Sequence, residues 1–126
     1  MTPGATFDAG GLIAVDRGNR RVIVLLARAA ELKASITVPA SALAQAVRNP
    51  ARQVRLARLI RQPRTDVVPL DRVDATSVGR LLAASGTADV VDAHVVICAK
   101  RTGQTVVTSD PGDLRRLDPN VAVIEI

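Results

Sequence analysis

The chain has 126 residues, 48% of them hydrophobic, with Phe7 as its one aromatic residue and Cys98 as its one cysteine. This length and composition fit one ordinary domain, residues 1–126, with an aliphatic core of Val, Leu, Ile and Ala; they exclude disorder, an internal disulfide and a zinc knuckle built from thiolates. Lys and Arg number 17 against 12 for Asp and Glu, a net charge of +5, which points either to an anionic partner or to a solvated basic surface.

Taken in chain order, 5–8 reads as a first strand that Ala9-Gly10-Gly11 turns into a helical segment from Leu12 to Asp16. Asn19 is placed to cap a helix from Arg20 to Ala34, with Val22, Leu25, Leu26 and Ala29 as its buried face. A second strand, 35–38, leads to Pro39 in the first turn of a helix that runs to about Arg48 and breaks at Asn49-Pro50. The next helix spans 51–62, with Val54, Leu56, Leu59 and Ile60 turned inward, and Pro63 ends it. After a third strand, 66–70, the helix 71–84 carries Val73, Val78, Leu81 and Leu82 as its apolar stripe and closes at Ser85-Gly86. Thr87 caps 88–101, Gly103 closes that helix, 104–108 is the fourth strand, 110–117 contains a short helix, and 121–126 is the fifth strand.

Strands alternating with helices predict an α/β fold: a five-stranded parallel sheet, its first strand central, covered by helices in three layers. No stretch reaches the roughly 18 apolar residues of a membrane span. Residues 1–10 carry neither a basic start nor a useful apolar run, so the expected location is a reducing cytoplasm. Cys98 lies in an aliphatic helical run and reads as a buried structural thiol.

In an open parallel sheet the functional crevice lies beyond the carboxyl ends of the strands. Asp8 ends the first strand and Asp110 the fourth; Asp89 and Asp92, three apart, share one helix face, and Asp113 follows Asp110 by three. Carboxylates converging there repel one another unless a cation sits between them, and an all-oxygen set suits Mg²⁺ or Mn²⁺. Each acid also has an ordinary reading as a helix cap or a solvated charge. His94 lies two residues after Asp92 on a different helix face and reads as a core-edge histidine. Arg48, Arg52, Arg55, Arg58, Arg61 and Arg64 recur at three- or four-residue intervals, which suits phosphate contacts or a solvated face; with Phe7 the only aromatic, no base-stacking platform is available.

Four segments, Thr6-Phe7-Asp8-Ala9-Gly10-Gly11-Leu12, Val38-Pro39-Ala40-Ser41-Ala42-Leu43-Ala44-Gln45, Asp89-Val90-Val91-Asp92-Ala93-His94 and Val107-Thr108-Ser109-Asp110-Pro111-Gly112-Asp113, resemble in order and spacing the four motif blocks of PIN domains, VapC-type toxins in particular. The likeness spans essentially the whole chain. It implies a Mg²⁺-dependent endoribonuclease encoded with a cognate antitoxin that blocks it; the basic helix 51–62 in addition predicts association through surface helices, as a homodimer, a toxin–antitoxin complex or both. By position it makes Asp8, Asp92 and Asp110 the catalytic and metal-holding residues, with Asp89 and Asp113 as further metal ligands. Gln45 departs from the pattern: it stands where the family usually has glutamate, and so would be a weak or indirect ligand. The resemblance also makes Arg48, Arg52, Arg55 and Arg58 candidates for antitoxin or RNA contact. Because of Gln45, a non-catalytic module that binds RNA or an antitoxin is the second reading. A response-regulator-like domain is the third, and it fits badly because Lys100 falls within a helix.

Overall fold

The computed structural model describes residues 4–126; residues 1–3, part of the stretch read above for a leader, lie outside the described residues. The strands are β1 (Ala5–Phe7), β2 (Ile36–Pro39), β3 (Thr65–Val68), β4 (Thr105–Thr108) and β5 (Val123–Glu125). They form one sheet in the order β3-β2-β1-β4-β5, and every pairing is parallel. The first strand is central, as the alternation of strands and helices predicts.

The helices are α1 (Ala9–Asp16), α2 (Arg20–Glu31), α3 (Ala40–Ala46), α4 (Val54–Arg61), α5 (Arg72–Ser85), α6 (Val90–Thr102) and α7 (Pro111–Leu117). From β1 the chain steps outward through β2 to β3, then returns across the sheet to β4. With right-handed crossovers, that reversal puts α1–α4 on one face and α5–α7 on the other. Accordingly α1 packs on α2, α3 and α4, while α5, α6 and α7 pack on one another. No single described helix is long and apolar enough to cross a membrane.

The core is aliphatic around Phe7, which is fully buried with Leu12, Ile36, Val95, Val106 and Leu114. Within it the Thr6 hydroxyl donates to Gln104 Oε1 at 2.8 Å, whereas the buried Thr65 hydroxyl has no partner among the described residues. Cys98 is buried, as expected.

Several boundaries differ from the sequence reading. Ala9-Gly10-Gly11 is the first turn of α1, not a connector, because Asp8 caps it by accepting from the Gly11 N–H at 2.7 Å. Pro39 ends β2 and caps α3 rather than sitting inside its first turn. Asp89, not Thr87, caps α6. The helix expected over 51–62 is divided into a 3-10 turn, Pro50–Arg52, and α4. Gln53 stands at the division: its Oε1 accepts from the Arg48 and Asn49 N–H groups and its amide donates to Ala46 O at 2.9 Å, tying it back to the end of α3, while the Arg52 and Gln53 N–H groups close the turn on Asn49 O and Pro50 O. Two residues assigned to buried stripes are solvent-facing, Val54 at 53% and Val73 at 68% exposure, since each opens its helix where the axis has not yet met the core.

Gly11 fixes how close α1 lies to the sheet. A Cβ there would stand 2.5 Å from Val107 O and 3.2 Å from the Phe7 ring. Both neighbours are buried, so neither can retreat cheaply. Gly11→Ala is therefore expected to lower unfolding free energy by about 1–3 kcal/mol through overpacking. Urea denaturation measures this, and an unchanged midpoint would show that α1 is free to lift.

Candidate functional site

Strand order reverses between β1 and β4, so their carboxyl ends are the switch point of the sheet, where a crevice forms. Asp8 follows β1 and Asp110 follows β4 at that place. The amino end of α6 brings Asp89 and Asp92, and the first turn of α7 brings Asp113. The structure thus gathers five carboxylates from three regions of the chain, the five singled out in the sequence.

Their environments differ. Asp8 is buried, and its ionised form is held by the Gly11 N–H. Burial pushes its carboxyl above the ordinary value; the Thr108 hydroxyl and the Gly11 N–H pull it back, and the charge of Asp110 adds to the upward push. Asp92 is half-buried and is pushed up to about 6, first by burial and then by the charges of Asp89, Asp8, Asp113 and Asp110. Asp89 is exposed and accepts from the Asp92 N–H at 2.9 Å. Asp110 is exposed and leaves α7 without a side-chain cap, while its N–H donates to Thr108 Oγ1 at 3.0 Å. Asp113 pairs loosely with Arg116 at 3.7 Å. The helix-cap reading therefore holds for Asp8 and Asp89, and it leaves the crowding at Asp92 unexplained.

Gln45 lies exposed on α3, a helix that packs on both α1 and α6. It is not among the residues lining the cleft at Asp89, Asp92 and Asp113. His94, read as a core-edge residue, is completely buried and faces away from the acids. Its Nε2 lies 2.9 Å from Asp74 Oδ2 and its Nδ1 lies 3.3 Å from Ser41 Oγ.

Asp74 escaped the sequence reading because it looks like one more acid in the first turn of a helix. It is buried, and Arg101 grips both of its oxygens at 2.8 and 3.0 Å. That grip, with His94, holds its carboxyl down at about 2. The ionised carboxylate accepts from the His94 Nε2–H, so Nδ1 is left to accept from the Ser41 hydroxyl. The chain of contacts joins α5, α6 and α3 behind the acids. Asp74, His94 and Cys98 also lie within metal-ligand distance of one another. Arg101 already neutralises the carboxylate, and burial pushes the Cys98 thiol up to about 11, so this group is a closed ion-pair network rather than a metal centre.

The arginines do not share one helix face. Arg48 turns back to donate to Ala44 O and Val47 O, closing α3. Arg52 is exposed in the 3-10 turn. The Arg55 guanidinium lies over Gly18, whose φ is +70°. Arg55 and Arg58 line a groove of about 290 Å³ with Val15, Ile23 and Leu26, between α2 and α4.

Asp92 titrates near 6 in the folded chain and near 4 when unfolded, so folding tightens its proton. The stability this provides is complete below about pH 4 and is lost as the pH rises through about 6. Asp92→Asn is accordingly expected to raise the melting temperature of metal-free protein at about pH 7.5 and to leave it unchanged near pH 3.5. Thermal melts in EDTA at the two pH values measure this; the same melting temperature as the parent at both would mean that the neighbouring charges do not reach Asp92.

A family model described as PIN domain matches residues 8–119. A search of curated protein sequences returned no match. Among solved structures, VapBC2 from Rickettsia felis bound to a DNA fragment from its promoter is similar with a TM-score of 0.68 at 15% identity, covering 98% of each chain. FitAB bound to the IR36 DNA fragment is similar with a TM-score of 0.65 at 19% identity, over 96% of this chain and 94% of that one. FitAcB from Neisseria gonorrhoeae gives 0.63 at 20% identity over 96% of each. The family model takes in α1 through α7 and all five acids at the switch point, and the chain belongs to the PIN-domain family.

Proposed function

We propose that the protein is a VapC-type toxin: a divalent-metal-dependent endoribonuclease that hydrolyses RNA phosphodiesters and is held in check by a cognate antitoxin. The observation that carries this is the gathering of five carboxylates at the carboxyl ends of β1 and β4 and the amino ends of α6 and α7, with Asp92 half-buried among them; burial first, and then the four neighbouring charges, push its carboxyl up to about 6. Such crowding is costly in a fold unless a cation relieves it. The donor set is all oxygen, which fits Mg²⁺ or Mn²⁺ and does not fit a soft metal. Asp8, Asp92 and Asp110 would hold the ion, with Asp89 and Asp113 ligating directly or through water. A bound Mg²⁺ or Mn²⁺ supplies an activated water and offsets charge on the phosphate.

The chain's own part is positioning. The Gly11 N–H fixes one oxygen of Asp8, and the Asp74–His94–Ser41 contacts hold α6 against α5 and α3. The antitoxin reading is supported by the neighbouring structures, which are VapBC and FitAB assemblies. Arg55 and Arg58 beside the apolar wall of Ile23 and Leu26 suit an amphipathic acidic segment of such a partner, and a homodimer is part of the same reading.

Cleavage of structured RNA in Mg²⁺ or Mn²⁺ is expected, with loss in EDTA and in Asp8→Ala. Intact RNA with the parent protein in both metals would remove the enzymatic reading.

The neutral amide of Gln45, where the resemblance expects glutamate, favours the second reading of a binding module without turnover. Gln45→Glu separates the two. If the site is a working one, the added carboxylate is expected to strengthen Mn²⁺ binding by up to about 1 kcal/mol, the scale of an exposed charge pair, and to speed cleavage. Calorimetry that gives identical Mn²⁺ titrations for parent and variant would place residue 45 beyond the reach of the ion.

A further inference from the structure

The five acids do not divide the carboxyl edge of the sheet evenly. On the α6–α7 side a cleft of about 260 Å³ is lined by Asp89, Asp92, Asp113, Arg116 and their neighbours. On the α1 side a second cleft, about 350 Å³, is lined by Gly10, Ile13, Ala14, Arg17, Asn19 and Ser109, with Ile126 completing the wall. No acidic side chain is among these, and Arg17 is exposed at its rim. A phosphodiester is repelled by the first cleft wherever no cation covers the carboxylates, and it is admitted by the second.

The α1-side cleft borders Asp8 and Asp110. Gly10 stands so close to Ser109 that a Cβ would collide with the Ser109 hydroxyl oxygen, and the same Cβ would lie 3.5 Å from Asp8 Oδ1. Ser109 in turn immediately precedes Asp110. Gly10 and the Ser109 hydroxyl, in contact with each other, are therefore what stands between the cleft and the Asp8 carboxylate. Asn19 commits its carbonyl oxygen to capping α2, accepting from the Val22 N–H at 3.2 Å. Its NH₂ donors are what remain to offer a ligand, and they suit phosphate, sugar or base oxygens. The volume lies in the range of small-ligand sites, and the mixture of an aliphatic wall with a few donors is their usual make-up.

We propose that this cleft receives the nucleotide next to the scissile phosphate, with its base against Ile13 and Ala14, its phosphate on Arg17, and Ser109 at the passage to the acids. The proposal rests on the ribonuclease reading above and assigns the two sides of the site different duties: carboxylates and cation on the α6–α7 side, RNA on the α1 side.

Arg17→Ala and Ala14→Met test it, the first by removing the cation and the second by filling the cleft. Fluorescence anisotropy in Mn²⁺ with a short single-stranded RNA made of non-hydrolysable linkages reads binding without cleavage, and Mn²⁺ calorimetry with thermal melts serves as the companion measurement. Each variant is expected to bind RNA about tenfold more weakly. Arg17→Ala should also lower the slope of log affinity against log salt by about 0.7, the share of one phosphate contact on a single strand. Mn²⁺ affinity should stay at the parent value, and Arg28→Ala, which removes an outer pair with Glu31, should change nothing. If Ala14→Met melts early, Arg17→Ala alone decides. Parent protein that binds and cleaves RNA, with both variants equal to it in affinity, overturns the cleft assignment and leaves the ribonuclease reading standing. Parent protein that neither binds nor cleaves RNA overturns both.

Discussion

Repulsion among carboxylates is the constraint around which this fold is arranged. Nothing in an aliphatic sheet of this kind needs acids at its carboxyl edge, and a free chain would keep them apart. The fold forces them together by giving them other tasks. Asp8 and Asp89 are bound to the backbone as helix caps, and those hydrogen bonds hold them in place whether or not a cation is present. Asp92 has no such tie on its side chain, and its burial, added to by the four neighbouring charges, is why its proton affinity moves so far.

A second layer keeps the helices from yielding. If α6 could slide, the acids would separate and the strain would vanish. The Asp74 carboxylate, gripped by Arg101 and by His94, ties α5 to the middle of α6, and the Ser41 hydroxyl extends the tie to α3. On the opposite face Gly11 lets α1 lie against Val107 O and the Phe7 ring. Buried charge is usually weak evidence for stability. Here its value is directional, since it sets the position of a helix whose amino end must stay where it is disfavoured.

Much of this was legible in the sequence, for identifiable reasons. The aliphatic strands and the capping residues Asn19, Gly86 and Gly103 follow local rules, and local rules held there. The sheet order follows from the alternation of elements together with chain handedness. The acids could be singled out because strand ends are recognisable without knowing the fold. What escaped were features that depend on distant partners. Gln53 stands where the expected helix divides, with a side chain that reaches back to Ala46, Arg48 and Asn49, and no propensity encodes that reach. Asp74 differs from its exposed neighbour Asp71 only through Arg101 and His94, which lie on another helix. Val54 and Val73 keep helical spacing, yet they sit where the helix has not reached the core.

The pairing of β1 with β4 sets Ala5 beside Thr105 and makes the strand that opens the sheet wait for one near its end. Contacts of such long sequence separation form late, because the loop between them must first be closed. Asp8 and Asp110 become neighbours only through that pairing. A nascent chain that has emerged as far as β3 therefore carries only Asp8, with the other four acids of the centre still unsynthesised. The order of translation itself keeps the site unassembled until the chain is almost complete, so whatever chemistry the acids perform is withheld for most of the protein's own manufacture.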